Sequence, residues 1–273
     1  MSDQDDAKAL VDDFEKRTAP NSWPHLTRSE VASGLRSRID DPDNIDQGNT
    51  SLCGPADFTR DIAEDRPKAY ARAVIQLFET GGTRIGDLDI RPGHDLRGHI
   101  LSAGAGIAQV DWIILASIRD SDNWFFDYQS ESDDASAITM PHSKESWLKK
   151  AGYREVINDT NAVACKDLPN AIRASSLFSQ GYKVALFINA NMLSADDMND
   201  VSLTPDHWVA LTKPIKVQSF NVAHPGTLNE DPNSRVELEV YSWGKTVAVP
   251  PGGKRLTDYH FRCNYYGFIA CRR

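Results

Sequence analysis

Cys53 has the surroundings of a reactive thiol. It follows a polar, turn-prone stretch at 47–52 and begins a segment, 53–65, that is predicted as a helix carrying Phe58 and Ile62 inward. A structural cysteine usually lies inside an apolar run. At a helix N-terminus the dipole favours the thiolate, so we expect a lowered pKa for this thiol. The alternative is a semi-exposed cysteine in a loop.

A general base for this thiol has to come from the seven histidines. His207 directly follows Thr-Pro-Asp and begins the strand-like segment 207–217, which places a titratable ring at the rim of an apolar sheet. A histidine near its unperturbed pKa can take a thiol proton and leave a thiolate–imidazolium pair. The other six lie in polar or mixed surroundings and are interpreted as surface or hydrogen-bonding residues: His25, His94, His99, His142, His224 and His260.

Two further side chains complete a constellation around these residues. Gln47, six residues before Cys53, can donate its side-chain amide to an oxyanion, with the Cys53 backbone N–H as second donor. Trp243 ends the strand that follows the His207 strand, where it can shield an imidazole from water. On its own, a tryptophan at such a point is interpreted as core.

These residues, in this order, resemble the papain-like cysteine peptidase family. The shared motifs are a Gln six residues ahead of a Cys-Gly that opens a helix, a His heading a strand, and Ser-Trp-Gly ending the next strand. Cys-Gly-Pro-Ala at 53–56 and Asp-His-Trp-Val at 206–209 resemble the bacterial branches of the family. The resemblance implies four roles: nucleophile for Cys53, general acid/base for His207, oxyanion-hole donor for Gln47 and shield for Trp243.

Two positions depart from the family pattern. Where the family usually has an Asn that orients the histidine, this chain has Tyr241. The Tyr241 hydroxyl, the neighbouring Ser242 or a distant carboxylate would then orient His207, or the enzyme works as a dyad. Thr50 stands where secreted relatives often carry a disulfide cysteine, which favours a protein that is made and acts in a reducing compartment.

The chemistry that the resemblance implies is acyl transfer through a thiolate, with proteolysis of a protein substrate as the first expectation. The same apparatus serves a protein glutamine deamidase, an acyltransferase or a peptidoglycan amidase. A catalytically dead binding module on the same scaffold is the alternative from another class. No cofactor and no metal is expected, since His94, Asp95 and His99 are interpreted as part of a solvated loop.

Bacterial papain-like proteins of this size resemble effector toxins of type VI or related secretion systems. The resemblance implies synthesis in the bacterial cytoplasm and export by a dedicated secretion system into a target cell, with action in its cytoplasm. The implied partners are a protein substrate, a cognate immunity protein that blocks the active site, and a secretion chaperone or adaptor. The helix predicted at 4–18 is either an export or docking element or a packed N-terminal helix.

Composition excludes several other classes. The net charge of −9 argues against non-specific nucleic-acid binding, which relies on clustered Lys and Arg. The acidic N-terminus does not resemble a secretory signal peptide, and no run approaches the roughly 18 apolar residues that span a bilayer. Four scattered cysteines favour reduced thiols over a disulfide framework; these are Cys53, Cys165, Cys263 and Cys271.

The order of elements predicts an α+β fold rather than a repeating βαβ array. Helices are predicted at 4–18, 28–38, 53–65, from Pro67 to Thr80, at 106–120 (where a strand is the alternative), and near 144–151 and 168–180. Strands are predicted at 182–192, 207–217, 235–243 and 260–273.

The papain-like interpretation places the nucleophile helix in an N-terminal helical part packed on a C-terminal antiparallel β-sheet. The predicted organisation is an N-terminal helix and loop extension at 1–46 and a cysteine protease domain at 47–273. Within that domain, 47–180 forms a mainly helical lobe and 181–273 a β lobe.

Overall fold

A computed structural model describes residues 2–122, 138–197, 200, 204–218 and 234–273. The chain divides into two compact units. Unit 1 comprises Met1–Gly152 with Trp243–Lys245, and unit 2 comprises Tyr153–Ser242 with Thr246–Arg273. The α+β class predicted from the sequence, with an antiparallel sheet, is confirmed. Residues 219–233, which lie between the strands predicted at 207–217 and 235–243, are outside the described residues, as is His224.

Unit 1 is mainly helical. Its helices are α1 (Asp3–Lys16), α2 (Arg28–Asp40), α3 (Cys53–Asp65), α4 (Pro67–Thr80), α5 (His94–Gly98), α6 (Gln109–Ser121) and α7 (Pro141–Lys150). A short antiparallel hairpin of β1 (Thr83–Ile85) and β2 (Leu88–Ile90) follows α4.

Local signals in the sequence set the ends of these helices. A capping box opens α1, with the Ser2 hydroxyl accepting from the Asp5 backbone N–H and the Asp5 carboxylate accepting from the Ser2 N–H. Pro67 takes the first position of α4, where its missing N–H costs nothing. Gly81 ends α4 in the left-handed region at φ 76°, so the predicted stop at this glycine is confirmed.

Unit 2 is built on an eight-stranded antiparallel sheet. Its elements are β3 (Glu155–Thr160), α8 (Leu168–Ser179), β4 (Lys183–Ile188), β5 (His207–Leu211), β6 (Lys216–Gln218), β7 (Arg235–Ser242), β8 (Lys245–Val249), β9 (Leu256–Thr257), α9 (Asp258–Cys263) and β10 (Tyr265–Arg272). The main strand order is β3-β10-β4-β5-β7-β6, and β8 and β9 both pair with β7.

The main core of unit 2 lies on one face of this sheet. It includes Leu186 of β4, Val209 of β5, Val240 of β7 and Phe268 of β10, all of them buried, together with Ala171 of α8. These strand residues are mostly branched or aromatic, which suits a pleated, half-buried surface. The β5 strand therefore starts at the edge of a continuous apolar core, and its first residue is His207.

The observed helices settle two predictions made from the sequence, for the segments 106–120 and 260–273. The segment 106–120 is helical, because α6 covers Gln109–Ser121. The strand predicted over 260–273 was wrong in its first residues, where α9 runs from Asp258 to Cys263 before β10 begins at Tyr265. The Thr257 side chain accepts from the His260 backbone N–H and so caps α9, a signal that favours a helix start.

All four cysteines lie within the described residues, and none of them forms a disulfide. Among the described residues, no helix combines the length and the hydrophobicity that crossing a membrane requires.

Candidate functional site

Cys53 occupies the first position of α3, as the sequence predicted. The preceding Leu52 has φ −97° and ψ 27°, and its side chain makes no capping hydrogen bond. The Ala56 N–H donates to the Leu52 carbonyl at 2.9 Å and begins the helical bonding. The Cys53 residue is buried, with 5% of its surface exposed. Its thiol therefore lies at the end of a helix dipole where negative charge is favoured.

The loop ahead of Cys53 is held by a dense set of hydrogen bonds. The Gln47 carbonyl accepts from the Thr50 hydroxyl at 2.7 Å and from the Thr50 N–H at 3.3 Å. Gly48 has φ 59°, and a Cβ at this position would stand 2.5 Å from the Ala105 carbonyl oxygen. Only glycine fits this turn. Gln47 itself is buried.

A buried ion pair anchors the start of this loop. Asp111 of α6 accepts from Arg38 of α2, with Asp111 Oδ2 2.6 Å from Arg38 Nη2 and Oδ1 3.1 Å from Nε. The same Oδ2 accepts from the Asp46 backbone N–H at 3.2 Å. Such a two-pronged guanidinium–carboxylate contact is directional, so it fixes the point at which the chain enters the loop.

A second buried ion pair lies one turn along α3 from the thiol. Lys144 of α7 is fully buried and forms a salt bridge to Asp57, which is also buried. Close packing accompanies the pair: a Cβ at Gly54 would stand 2.4 Å from Thr139 Oγ1. Lys144 is not among the site residues predicted from the sequence. The signal was its place on the buried face of α7, three residues before the buried Trp147.

Trp243 adopts a strained backbone conformation. It has φ 49° and is the one residue other than glycine, within the described ranges, with positive φ. The next residue, Gly244, has φ 67°, and a Cβ on it would stand 2.8 Å from Asp46 Cβ. Trp243 and Lys245 line a depression of about 620 Å³ with Asp46, Asn49 and Ser51. Because non-glycine residues rarely occupy this region without a compensating constraint, the turn marks a candidate functional position.

His207 lies at the start of β5 in unit 2, and it is buried with 5% of its surface exposed. Burial lowers the pKa of His207 to about 4, because the charged imidazolium loses its hydration. Its Nε2 atom is 2.7 Å from the Ser242 hydroxyl. The ring is therefore neutral at physiological pH and is oriented through one of its nitrogens.

The strand register explains why Ser242 reaches the imidazole. The β5–β7 ladder pairs Ala210 with Tyr241. Side chains alternate between the two faces of a strand, so Tyr241 lies on the face of Ala210, while His207 and Ser242 lie on the opposite face. Ser242, one of the two residues that the sequence offered for orienting His207, contacts the imidazole ring.

The carboxylate next to His207 is engaged in a local turn. Asp206 Oδ1 accepts from the Ala190 N–H at 2.7 Å, and Oδ2 accepts from the Asn189 side-chain amide at 3.1 Å. Partial burial raises the pKa of Asp206. Its contacts tie the short helical turn at Ala190–Leu193 to the start of β5, so Asp206 positions the strand that carries the histidine.

The structure thus brings His207 and Ser242 together in unit 2, and it places Gln47, Cys53 and Trp243 in unit 1. Within the described residues, no three His, Cys, Asp or Glu side chains form a group that could hold a metal ion. Comparisons with protein-family models, curated proteins and solved structures find no match to this chain. A functional interpretation therefore depends on the chemistry of these residues.

Proposed function

We propose that this chain is a papain-like cysteine protease in which Cys53 is the nucleophile and His207 the general acid/base. The observation that carries the proposal is the 2.7 Å contact between His207 Nε2 and the Ser242 hydroxyl inside the sheet. A general base needs an imidazole whose orientation is fixed by a third group. A buried neutral imidazole held at one nitrogen meets that requirement.

In the proposed reaction, the neutral imidazole takes the Cys53 thiol proton on Nδ1, since Nε2 is engaged by Ser242. The thiolate then attacks the carbonyl carbon of a peptide bond and forms a tetrahedral intermediate. Its oxyanion accepts from the Gln47 side-chain amide and from the Cys53 backbone N–H, which is the first N–H of α3. The α3 dipole adds to this stabilisation.

The imidazolium next gives its proton to the departing amine, and the peptide C–N bond breaks to leave a thioester on Cys53. Water then attacks the thioester carbonyl carbon while His207 accepts a proton from that water. The C–S bond breaks to release the carboxylic acid, and the imidazolium returns the proton to the Cys53 thiolate. Both half-reactions use the same imidazole in opposite directions, so a ring locked in one orientation serves the whole cycle. Trp243 is assigned the shielding of the ion pair from water.

The setting that we propose is a bacterial effector toxin, delivered by a type VI or related secretion system and neutralised in the producer by an immunity protein. Its support is the resemblance of the Gln47, Cys53, His207 and Ser-Trp-Gly motifs to bacterial papain-like proteins. The targets in this setting are proteins of the recipient cell's cytoplasm.

The test is expression of the wild type and of Cys53→Ala in the bacterial cytoplasm, with proteome-wide labelling of N-termini in the lysates. New N-termini that arise only with the wild type are the expected result, and they identify the cleaved protein. Toxicity that needs Cys53 without new N-termini contradicts proteolysis and favours deamidation or acyl transfer. No effect that depends on Cys53 contradicts an intracellular protease.

A second measurement tests the pairing of thiol and imidazole directly. Treatment with 1,3-dibromoacetone, a bifunctional alkylator with a three-carbon bridge, is expected to cross-link Cys53 to His207. Peptide mass mapping identifies the bridge, and Cys165, which is exposed, is the internal control for simple alkylation. Alkylation of Cys53 without any bridge to His207 contradicts the proposed pair.

A further inference from the structure

Unit 1 contains a cationic cleft that shares none of the residues of the proposed active site. It lies where the chain leaves α4 and enters the β1–β2 hairpin, and its volume is about 570 Å³. Among the described residues, three arginines line it, Arg84, Arg91 and Arg97, together with one carboxylate, Asp89. The cleft therefore has a formal charge of +2 in a chain whose net charge is −9.

Two of the three guanidinium groups have no carboxylate partner among the residues that the structure describes. Arg91 Nε donates to Asp89 Oδ2 at 2.8 Å, an exposed pair that contributes little to stability. Within the described part of the chain, neither Arg84 nor Arg97 forms an ion pair; Arg97 Nε instead donates to the Gly93 carbonyl at 3.3 Å. Arginine carries five N–H donors, so most of the donors of these two residues have no acceptor among the described residues.

Arg97 is held in place by close packing on the end of α4. Its Nη1 atom lies 2.5 Å from the position that a Cβ on Gly81 would take, and Gly81 has φ 76°. The missing side chain thus makes room for the guanidinium. The carbonyl end of a helix supplies roughly half a negative charge, which leaves the cleft cationic. A half-buried, pre-positioned arginine loses little side-chain entropy when it binds an anion.

We propose that this cleft binds a phosphate monoester, either on a small phosphorylated molecule or on a phosphorylated side chain. A phosphate monoester carries about −1.5 to −2 charge near neutral pH and three acceptor oxygens. The charge of the phosphate monoester is closer in magnitude to the +2 of the cleft than the −1 of a carboxylate is. Guanidinium forks at Arg84 and Arg97 can each engage two phosphate oxygens.

The test is titration calorimetry on the full chain at low ionic strength. The probes are inorganic phosphate, a phosphoserine peptide and the same peptide with glutamate at the phosphoserine. We expect the phosphorylated probes to bind and Arg97→Gln to weaken them by roughly tenfold, as loss of a charge-assisted contact does. Arg84→Gln is expected to weaken binding of the phosphorylated probes severalfold. Because Arg84 is exposed, this variant still tests the cleft if Arg97→Gln disturbs folding.

The matched control is Arg72→Gln. Arg72 is an exposed arginine of α4 outside the cleft lining, so this variant removes the same charge from the same unit of the chain. Equal weakening by Arg72→Gln contradicts a site, because it indicates general electrostatic attraction. Equal binding of the glutamate peptide, or no binding of either phosphorylated probe, also overturns the proposal. Tighter binding of the phosphopeptide than of inorganic phosphate assigns a protein-borne source, and the reverse assigns a small molecule.

Discussion

The Ser242 hydroxyl lies 2.7 Å from Nε2 of His207 in the buried end of the β5–β7 pair. A hydroxyl differs from an amide carbonyl in this place, because it can either donate to a ring nitrogen or accept from it. Ser242 therefore orients the imidazole without selecting one tautomer. An asparagine carbonyl, in contrast, accepts only and so requires a proton on Nε2.

Ser242→Ala should lower activity without abolishing it. A single neutral hydrogen bond contributes about 0.5–1.5 kcal/mol, which corresponds to a rate loss of up to roughly tenfold. The measurement is the rate at which the purified variant cleaves the substrate found by N-terminal labelling. We expect the loss in kcat rather than in KM, because the hydroxyl contacts the base and not the substrate.

Tyr241→Phe is the matched control for this change. It removes a neighbouring hydroxyl on the opposite face of β7 and is expected to leave kcat within about twofold of the wild type. A larger loss for Tyr241→Phe than for Ser242→Ala contradicts the assignment of Ser242 as the orienting residue.

Burial of His207 should make folding stability depend on pH in a defined direction. Its pKa of about 4 lies below the usual 6.5, so the unfolded chain binds more protons between these values. Stability from this group is complete above pH 6.5 and is lost as the pH falls toward 4. The loss at pH 4 is about 3 kcal/mol for a shift of this size.

The difference in unfolding free energy between the wild type and His207→Gln isolates this effect from the titration of the carboxylates. Denaturant titrations over this range should show the wild type losing about 3 kcal/mol relative to the variant. His25→Gln, at an exposed histidine, is the matched control and should retain the wild-type pH dependence. A constant difference between the wild type and His207→Gln contradicts a neutral, buried imidazole.

Reactivity should depart from accessibility at one of the four thiols, Cys53. Cys165 is exposed and Cys263 partly exposed, whereas Cys53 and Cys271 are buried. If Cys53 is a thiolate at a helix N-terminus, iodoacetamide should label it first despite its burial. Quantitative mass spectrometry of a time course measures this. His207→Gln should bring the rate for Cys53 down toward that of Cys271. First labelling of Cys165, with Cys53 slow, would count against a nucleophile.

The sequence predicted those features that depend on local signals. The helix expected at 53–65 is α3, with the bounds Cys53–Asp65, because its apolar spacing and its proline in the first turn are local properties. In α6 every residue from Val110 to Arg119 is buried, which removes the periodicity that distinguishes a helix from a strand. At 13 residues, α6 is longer than most strands, which favours the helix that is observed.

Features that depend on pairing between distant parts of the chain could not be predicted from local sequence patterns. β3 reads EVINDT, a run without clean alternation, and it forms a strand because β10 pairs with it. The choice of Ser242 over Tyr241 follows from the β5–β7 register, which no local pattern encodes. Lys144 and Asp57 are 87 residues apart in the chain, so their buried contact is a tertiary property.

Removing one partner of the Lys144–Asp57 pair should lower the free energy of unfolding strongly, whereas replacing both partners with apolar residues should lower it little. Lys144→Met leaves the Asp57 carboxylate buried without its cation, and we expect a loss of about 3–5 kcal/mol in the free energy of unfolding. Adding Asp57→Leu, which keeps the branched shape without the charge, should recover most of that loss. Chemical denaturation of both variants measures this. Lys149→Met, on the exposed part of α7, is the control and should change stability by less than about 1 kcal/mol. If the double variant is as unstable as Lys144→Met alone, the lysine stabilises α3 and α7 through its packing rather than by neutralising Asp57.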